Sequence, residues 1–367
     1  MIDRILLAAI VVTAVLHATG ARAVDSGSFD YSFNAFGTAG VVHSSNNQAD
    51  FVPNLRQPAG PGFTHAWSVT PDSKVGAQLT GTFMDRLSAV VQAVSQYQSD
   101  GTYRPGLEWA NLKYQITPDA DIRVGRIVLP TFLNSDSVNV GYSLPYVRIP
   151  LEVYLQLPIA NSDGLDGSYR FHVGGTTTTV QAFAGRFNSG APQGYYNARN
   201  LRGVSTTVED DALTVHLSYQ VLHYDYAAGG IVYNTNDPQS LLSLGASYDP
   251  GRWYVVGEWL RVPDDALGLF YAGYLFGGYR IDKLAAYIGY SRTYMARPGY
   301  FDIPAFIDQR TSTLGLRWDF ARHVDAKLQL DHTVLHGGLN STFVNPQPGF
   351  DPAGSVNILT LAVDFVW

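Results

Sequence analysis

The chain has 367 residues, with 24 Lys and Arg against 31 Asp and Glu, a formal charge of −7, no basic block and no cysteine. These counts exclude disulfides, thiol nucleophiles and cysteine-ligated zinc, and they set nucleic acid aside as a partner. Charged residues make up only 15% and mean hydropathy is −0.03, while glycine (36) and tyrosine (23) are abundant; that is too polar for a helical bundle in lipid but suits strands alternating between lipid and water.

The first segment, "MIDRILLAAIVVTAVLHATGARAVDSG", joins Arg4 to an apolar run from Ile5 to Leu16 and the small-residue pattern Ala21-Arg22-Ala23. It reads as a secretory signal peptide cleaved after Ala23, because a helix needs about 20 apolar residues to cross a bilayer. Residues 24–367 then form one exported domain, with no other stretch able to span as a helix.

From there the sequence runs hairpin after hairpin. "FDYSFNAFG" sets Phe29, Tyr31 and Phe33 on one face, and "VGAQLTGTF" does the same with Val75, Ala77, Leu79 and Phe83. In "LTVHLSYQV" the faces are Leu213, Val215, Leu217, Tyr219 and Val221 against Thr214, His216, Ser218 and Gln220; in "VDAKLQLDHTV", Val324, Ala326, Leu328 and Leu330 oppose Asp325, Lys327, Gln329 and Asp331. A period of two is the mark of a strand with one apolar face. Tight turns rich in Gly, Pro, Asp or charge are expected at 84–86, 117–121, 174–177, 209–212, 249–252, 281–283 and 320–323. Long polar loops are expected at 44–72, 97–105, 129–164, 188–201, 225–239, 262–267, 294–308 and 336–354.

The fold class that follows is all-β: a transmembrane antiparallel barrel of about sixteen strands of roughly 9–11 residues, with short turns at one end and long loops at the other. A soluble sandwich or propeller would alternate too, but would not produce that asymmetry. The final "NILTLAVDFVW" places Leu359, Leu361, Val363, Phe365 and Trp367 on one face. It is expected to close the barrel against the first strand near Phe29 to Val42, with Phe365 and Trp367 facing lipid at the interface.

One segment departs from the rhythm. In 121–171 the strand pattern gives way to a stretch with Pro130, Pro145, Pro150 and Pro158, which forbid a regular ladder, and with Leu144, Tyr146, Val147, Ile149, Leu151, Val153 and Leu155, too many apolar residues for a free external loop. A loop folded into the lumen and packed on the wall explains both.

The run "GRIVLP" (125–130) leading into "SDSVNVGYSLPYVRIPLEVY" (135–154) resembles the third-loop region of the Gram-negative sixteen-stranded porins. The resemblance implies an outer-membrane homotrimer of water-filled barrels for small hydrophilic solutes and ions, inserted by the barrel-assembly machinery among outer-membrane lipids, with no cofactor and no reaction. It also implies a pore narrowed by acidic groups on the loop facing basic groups on the wall. Asp136 and Glu152 are the acidic candidates, with Asp163 and Asp166 at the loop exit; Lys113, Arg123, Arg170, Arg317 and Lys327 are the basic ones. Arg126 is ambiguous, since strict alternation from Ile122 and Val124 points it at lipid unless a bulge turns it inward. The family usually ends in Phe where this chain has Trp367.

Other chemistry finds little support. His332 and His336 are four apart, but on a strand that is roughly 13 Å, too far for a metal pair. "NSDGLDG" offers Asn161, Asp163 and Asp166 as oxygen donors for Ca²⁺, although turn chemistry explains the motif as well. There is no nucleophile elbow and no phosphate loop. The alternative to a diffusion channel is a barrel adhesin or barrel enzyme.

Overall fold

A computed structural model describes residues 29–54, 57–157, 159–191, 194–228, 231–300, 308–337 and 342–367. The expected signal peptide and Pro158 lie outside the described residues. In chain order the strands are β1 (Phe29–Ser44), β2 (Asp50–Phe51), β3 (Trp67–Ser68), β4 (Lys74–Phe83), β5 (Leu87–Gln96), β6 (Pro105–Thr117), β7 (Ala120–Val128), β8 (Asn161–Val173), β9 (Thr176–Ala191) and β10 (Gly194–Asp210). They continue with β11 (Leu213–Ala228), β12 (Ile231–Tyr248), β13 (Trp253–Asp264), β14 (Gly268–Ile281), β15 (Leu284–Pro298), β16 (Gln309–Ala321), β17 (Val324–Leu335), β18 (Phe343–Val344) and β19 (Ser355–Val366). Sixteen of these are long wall strands; β2, β3 and β18 are two residues each.

Each long strand pairs antiparallel with its chain neighbour, and the sheet closes when β19 meets β1 in the register Phe36↔Val366 to Ser44↔Ile358. The ladder continues one step further through Ala35 and Trp367, whose backbone groups exchange hydrogen bonds of 2.9 and 2.8 Å. The Trp367 ring meets Phe33 edge-on at 5.5 Å. The terminal strand therefore closes the barrel as its alternation predicted.

The faces are inverted relative to a soluble barrel. Leu314, Leu316 and Trp318 on β16 are 60%, 51% and 52% exposed, as are Leu328, Leu330, Leu361 and Val363 to lesser degrees. The intervening Thr313, Gln329, Asp331, Thr333 and Thr360 are buried. Apolar residues outside and polar ones inside are what hydrocarbon demands.

The short turns need backbone conformations that the sequence provides. Gly174, Asp211, Asp282 and His323 all have positive φ (61°, 51°, 52° and 62°) at two-residue connections. Such φ values suit the primed hairpin turns that match strand twist.

Two expected loops are instead strand. Residues 188–191 with 194–201, and 225–228 with 231–239, extend the β9/β10 and β11/β12 hairpins well beyond the 9–11 residues needed to cross, so that β12 reaches 18 residues. The polar and aromatic alternation of "GYYNARN" pairs across the hairpin, and the irregularities fall at bulges where Asn200 and Asn236 take positive φ.

Deleting Phe365 to Trp367 removes the last rungs of the closing ladder. The heat-modifiable, trypsin-resistant fraction in outer-membrane preparations is expected to fall far below that of an equal deletion within 336–354. Equal yields would show the ending to be incidental.

Candidate functional site

The connection between β7 and β8 leaves the wall at Leu129, whose N–H donates to Ala160 O at 2.9 Å, and turns inward. It contains a 3₁₀ turn at Gly141–Ser143 and one short helix, α1 (Leu151–Tyr154). Its apolar side chains meet an apolar patch on the inner wall. Phe132, Leu144, Tyr146, Val153, Tyr154 and Leu157 pack against Tyr254, Val256, Leu260, Phe270, Tyr274, Phe276 and Tyr287, all buried. The inner face of β13 is apolar here except at Glu258, because the loop, rather than water, covers it.

Polar contacts fix the loop around this core. Ser218 Oγ donates to Thr131 O at 2.7 Å, and Thr131 Oγ1 to Gln220 Oε1 at 2.9 Å. Glu258, buried on β13, accepts from Leu133 N (2.7 Å), Tyr154 Oη (2.8 Å) and Tyr274 Oη (2.9 Å). Burial, then the Glu258 charge, holds the Tyr154 phenol well above its ordinary pKa, so it remains a donor.

The strongest fastening is Arg148. Its guanidinium grips Asp72 bidentately (Nε–Oδ1 3.0 Å, Nη2–Oδ2 2.7 Å), donates to Asp331 Oδ2 at 2.7 Å and to Thr360 Oγ1 at 2.6 Å, and lies 5.2 Å from the centre of the Phe51 ring. Burial alone lowers the guanidinium pKa; Asp72 and then Asp331 more than reverse this and hold it above its usual value. One loop side chain thereby ties together the end of the first long connection, β17 and β19.

The sequence-predicted site residues fall into four groups. Lys113, Arg123 and Arg170 face inward on β6, β7 and β8 and are brought together with acids: Lys113 Nζ lies 3.1 Å from Asp121, Arg170 Nη2 3.3 Å from the same carboxylate, and Arg123 Nη2 2.9 Å from Asp166. Arg317 and Lys327 also face inward, but they hold the loop. Arg317 donates to Tyr142 O and Leu144 O at 3.0 Å each, and Lys327 to Gly141 O at 2.7 Å and Asp364 at 2.8 Å. Asp136 is exposed on the loop, with Arg123 and His216 within electrostatic reach.

Glu152 and Arg126 are corrections to the expectation. Glu152 is buried against the wall, accepting from Ser291 (2.7 Å), Gln309 (2.7 Å) and Thr311 (2.6 Å), so its charge is spent on docking. Arg126 shares the outer face with Ile122 and Val124 and pairs there with Asp163 (Nε–Oδ1 2.7 Å, Nη2–Oδ2 3.0 Å). The partner offsets a cost of about 2–4 kcal/mol for a lone Arg in mid-bilayer. The same alternation separates the Ca²⁺ candidates, since Asp163 points out while Asp166 points in to Arg123.

Between the loop and the inner wall lies a cavity of about 250 Å³. Lys74, Gln96 and Glu108 line it from β4, β5 and β6; Val138, Ile149 and Leu155 line it from the loop. Lys74 Nζ donates to Val138 O at 3.3 Å. Lys74, Glu108, Asp72 and Arg148 were missed in the sequence. A lone Arg within "LPYVRIPLEVY" was the available signal for the last of these.

No protein-family model matches the chain, and no curated protein matches it. Solved structures do. The outer-membrane channel DcaP of Acinetobacter baumannii is similar with a TM-score of 0.60 at 10% identity, over 95% of this chain and 100% of that one. In-vitro folded OmpT, an outer-membrane protein of Vibrio cholerae in its trimer form, gives 0.59 at 13% identity over 93% and 100%. An anion-selective porin from Comamonas acidovorans gives 0.57 at 12% identity over 92% and 100%. At these identities the likeness is one of architecture: the chain has the sixteen-stranded barrel fold of outer-membrane porins.

Proposed function

We propose that the protein is an outer-membrane porin, a passive channel for small hydrophilic solutes and ions, with residues 1–23 as its cleaved export signal and no catalytic role. The observation that carries this reading is a closed barrel, apolar outside and polar inside, whose long third connection folds into the lumen and leaves a lined cavity beside the wall. The described architecture of a channel in one neighbour and a trimer in another supports a trimeric channel.

Facing charges set a field across a narrow lumen and bias which ion sign enters. Here the candidates are Asp136 on the loop and the Lys113, Arg123 and Arg170 ladder on the wall, whose own acids Asp121 and Asp166 reduce its net charge. Arg317, Lys327 and Glu152 act on loop position rather than on this field.

Purified protein in a planar bilayer is expected to give stepwise, ohmic conductance that scales with salt; folded protein without channel steps would overturn the porin reading. Neutralising Asp136 shifts the reversal potential toward anions and neutralising Arg123 shifts it toward cations, whereas Arg126→Gln on the outer face leaves it unchanged. A reversal potential that stays fixed in both of the first two variants would place the constriction elsewhere.

Arg148→Met leaves Asp72 and Asp331 buried without their partner, a loss of about 3–5 kcal/mol of loop docking. The open channel of this variant is expected to flicker between current levels where the parent is steady. Quiet, parent-like records would show that the apolar core alone holds the loop.

A further inference from the structure

The outer face carries a pairing that the barrel alone does not explain. Arg292 on β15 and Arg310 on β16 are direct cross-strand partners, and both are exposed. Alternation puts them on the same face as Tyr290, Ile288 and Leu314, the side turned away from the lumen. Directly opposed residues have Cα atoms roughly 5 Å apart, and like charges so placed are destabilising. Arg126 and Arg199 are matched by Asp163 and Asp225, but among the described residues neither Arg292 nor Arg310 forms an ion pair. Arg292 lies 5.4 Å from the ring centre of Tyr294, which orients it. Among the described residues the titratable groups nearby are Asp308 and His336, with Asp308 within electrostatic reach of both Arg292 and His336, and His332, whose ring is bonded to Asn357.

The height of the pair says what it faces. Arg292 lies nine residues beyond Lys283 in the short turn. At 3.3 Å per residue and a tilt near 40° that is about 23 Å above the turn, close to the far edge of an apolar band about 25 Å tall. Below the pair the same two strands present Ile288, Leu314 and Leu316 to hydrocarbon; at its level stand the tyrosines Tyr290 and Tyr294, residues suited to the interface. A guanidinium pair at that level has ten N–H donors in two planar forks, the geometry that phosphate oxygens accept.

We propose that Arg292 and Arg310 form a binding site for the phosphate headgroup of an anionic membrane lipid in the leaflet at the loop end of the barrel. The bound phosphate lies between the two guanidiniums and turns a repulsive pair into a bridged one. The proposal rests on the barrel spanning a membrane, but not on what passes through it.

The test compares thermal unfolding of the purified protein, read by loss of heat-modifiable mobility, in a neutral detergent and in nanodiscs of phosphatidylcholine with and without phosphatidic acid. In neutral detergent Arg310→Gln is expected to be more stable than the parent, because repulsion is removed. In phosphatidic acid nanodiscs the order reverses, and native mass spectrometry shows one lipid fewer retained per chain. Arg310→Lys, which keeps the charge, retains the lipid, and inorganic phosphate does not displace it from the parent. An unchanged stability order between the two media, equal lipid retention, or displacement by inorganic phosphate would overturn the proposal. A change in oligomeric state of Arg310→Gln would overturn it in favour of a contact between copies. Protein that fails to enter nanodiscs at all would instead refute the membrane reading beneath it.

Discussion

Hydrocarbon offers no partner for a peptide N–H or C=O, so a sheet that crosses it cannot have an edge. That constraint governs the molecule. The β1–β19 ladder, extended by the Ala35 and Trp367 backbone bonds, is the seam at which the constraint is met, and it joins the first wall strand to the last. Closure in turn fixes the parity of every wall residue, and parity decides which side chains meet lipid and which meet the lumen. Arg126 and Arg123, three positions apart on β7, end in different solvents with different carboxylates for this reason.

A closed wall of this size encloses more space than wall side chains fill, and the third connection occupies it. The loop brings its own core inside the barrel, so that apolar packing, normally the centre of a protein, here lies along one arc of the lumen. Polar fastenings then set the loop's position. The Arg148 grip on Asp72 and Asp331 is a buried charge network, which stabilises little beyond a well-packed apolar substitute yet fixes geometry strongly because any single removal strands a charge. Loop position sets how much of the lumen stays open, so charges that only fasten the loop still shape the space beside the wall.

Much of this was legible in the sequence. Alternation in "NILTLAVDFVW" gave the closing strand and its faces, and the prolines with apolar residues between 129 and 158 marked a loop packed within. Other features were hidden because their signal lies in contacts between distant residues. Glu152 reads as a lumen acid until Ser291, Gln309 and Thr311 are seen around it. The extensions of β9 to β12 were concealed by polar composition, which looks the same in a loop and in a hairpin beyond the membrane. One signal was present and unread: apart from Glu258 and Arg261, "WYVVGEWLRV" is apolar on both faces, and in a barrel wall the second apolar face means that something other than water covers it.

The central claim is that one face of each strand meets lipid and the other meets water. The chain contains no cysteine, so single cysteines report without background. Leu112 and Lys113 are adjacent on β6, and Tyr169 and Arg170 on β8, with the first of each pair outside and the second inside. In folded protein in lipid vesicles, a small charged thiosulfonate is expected to modify Lys113→Cys and Arg170→Cys rapidly and to leave Leu112→Cys and Tyr169→Cys unmodified, while a lipid-soluble maleimide shows the opposite preference. Equal modification of both members of each pair by the charged reagent would contradict the account.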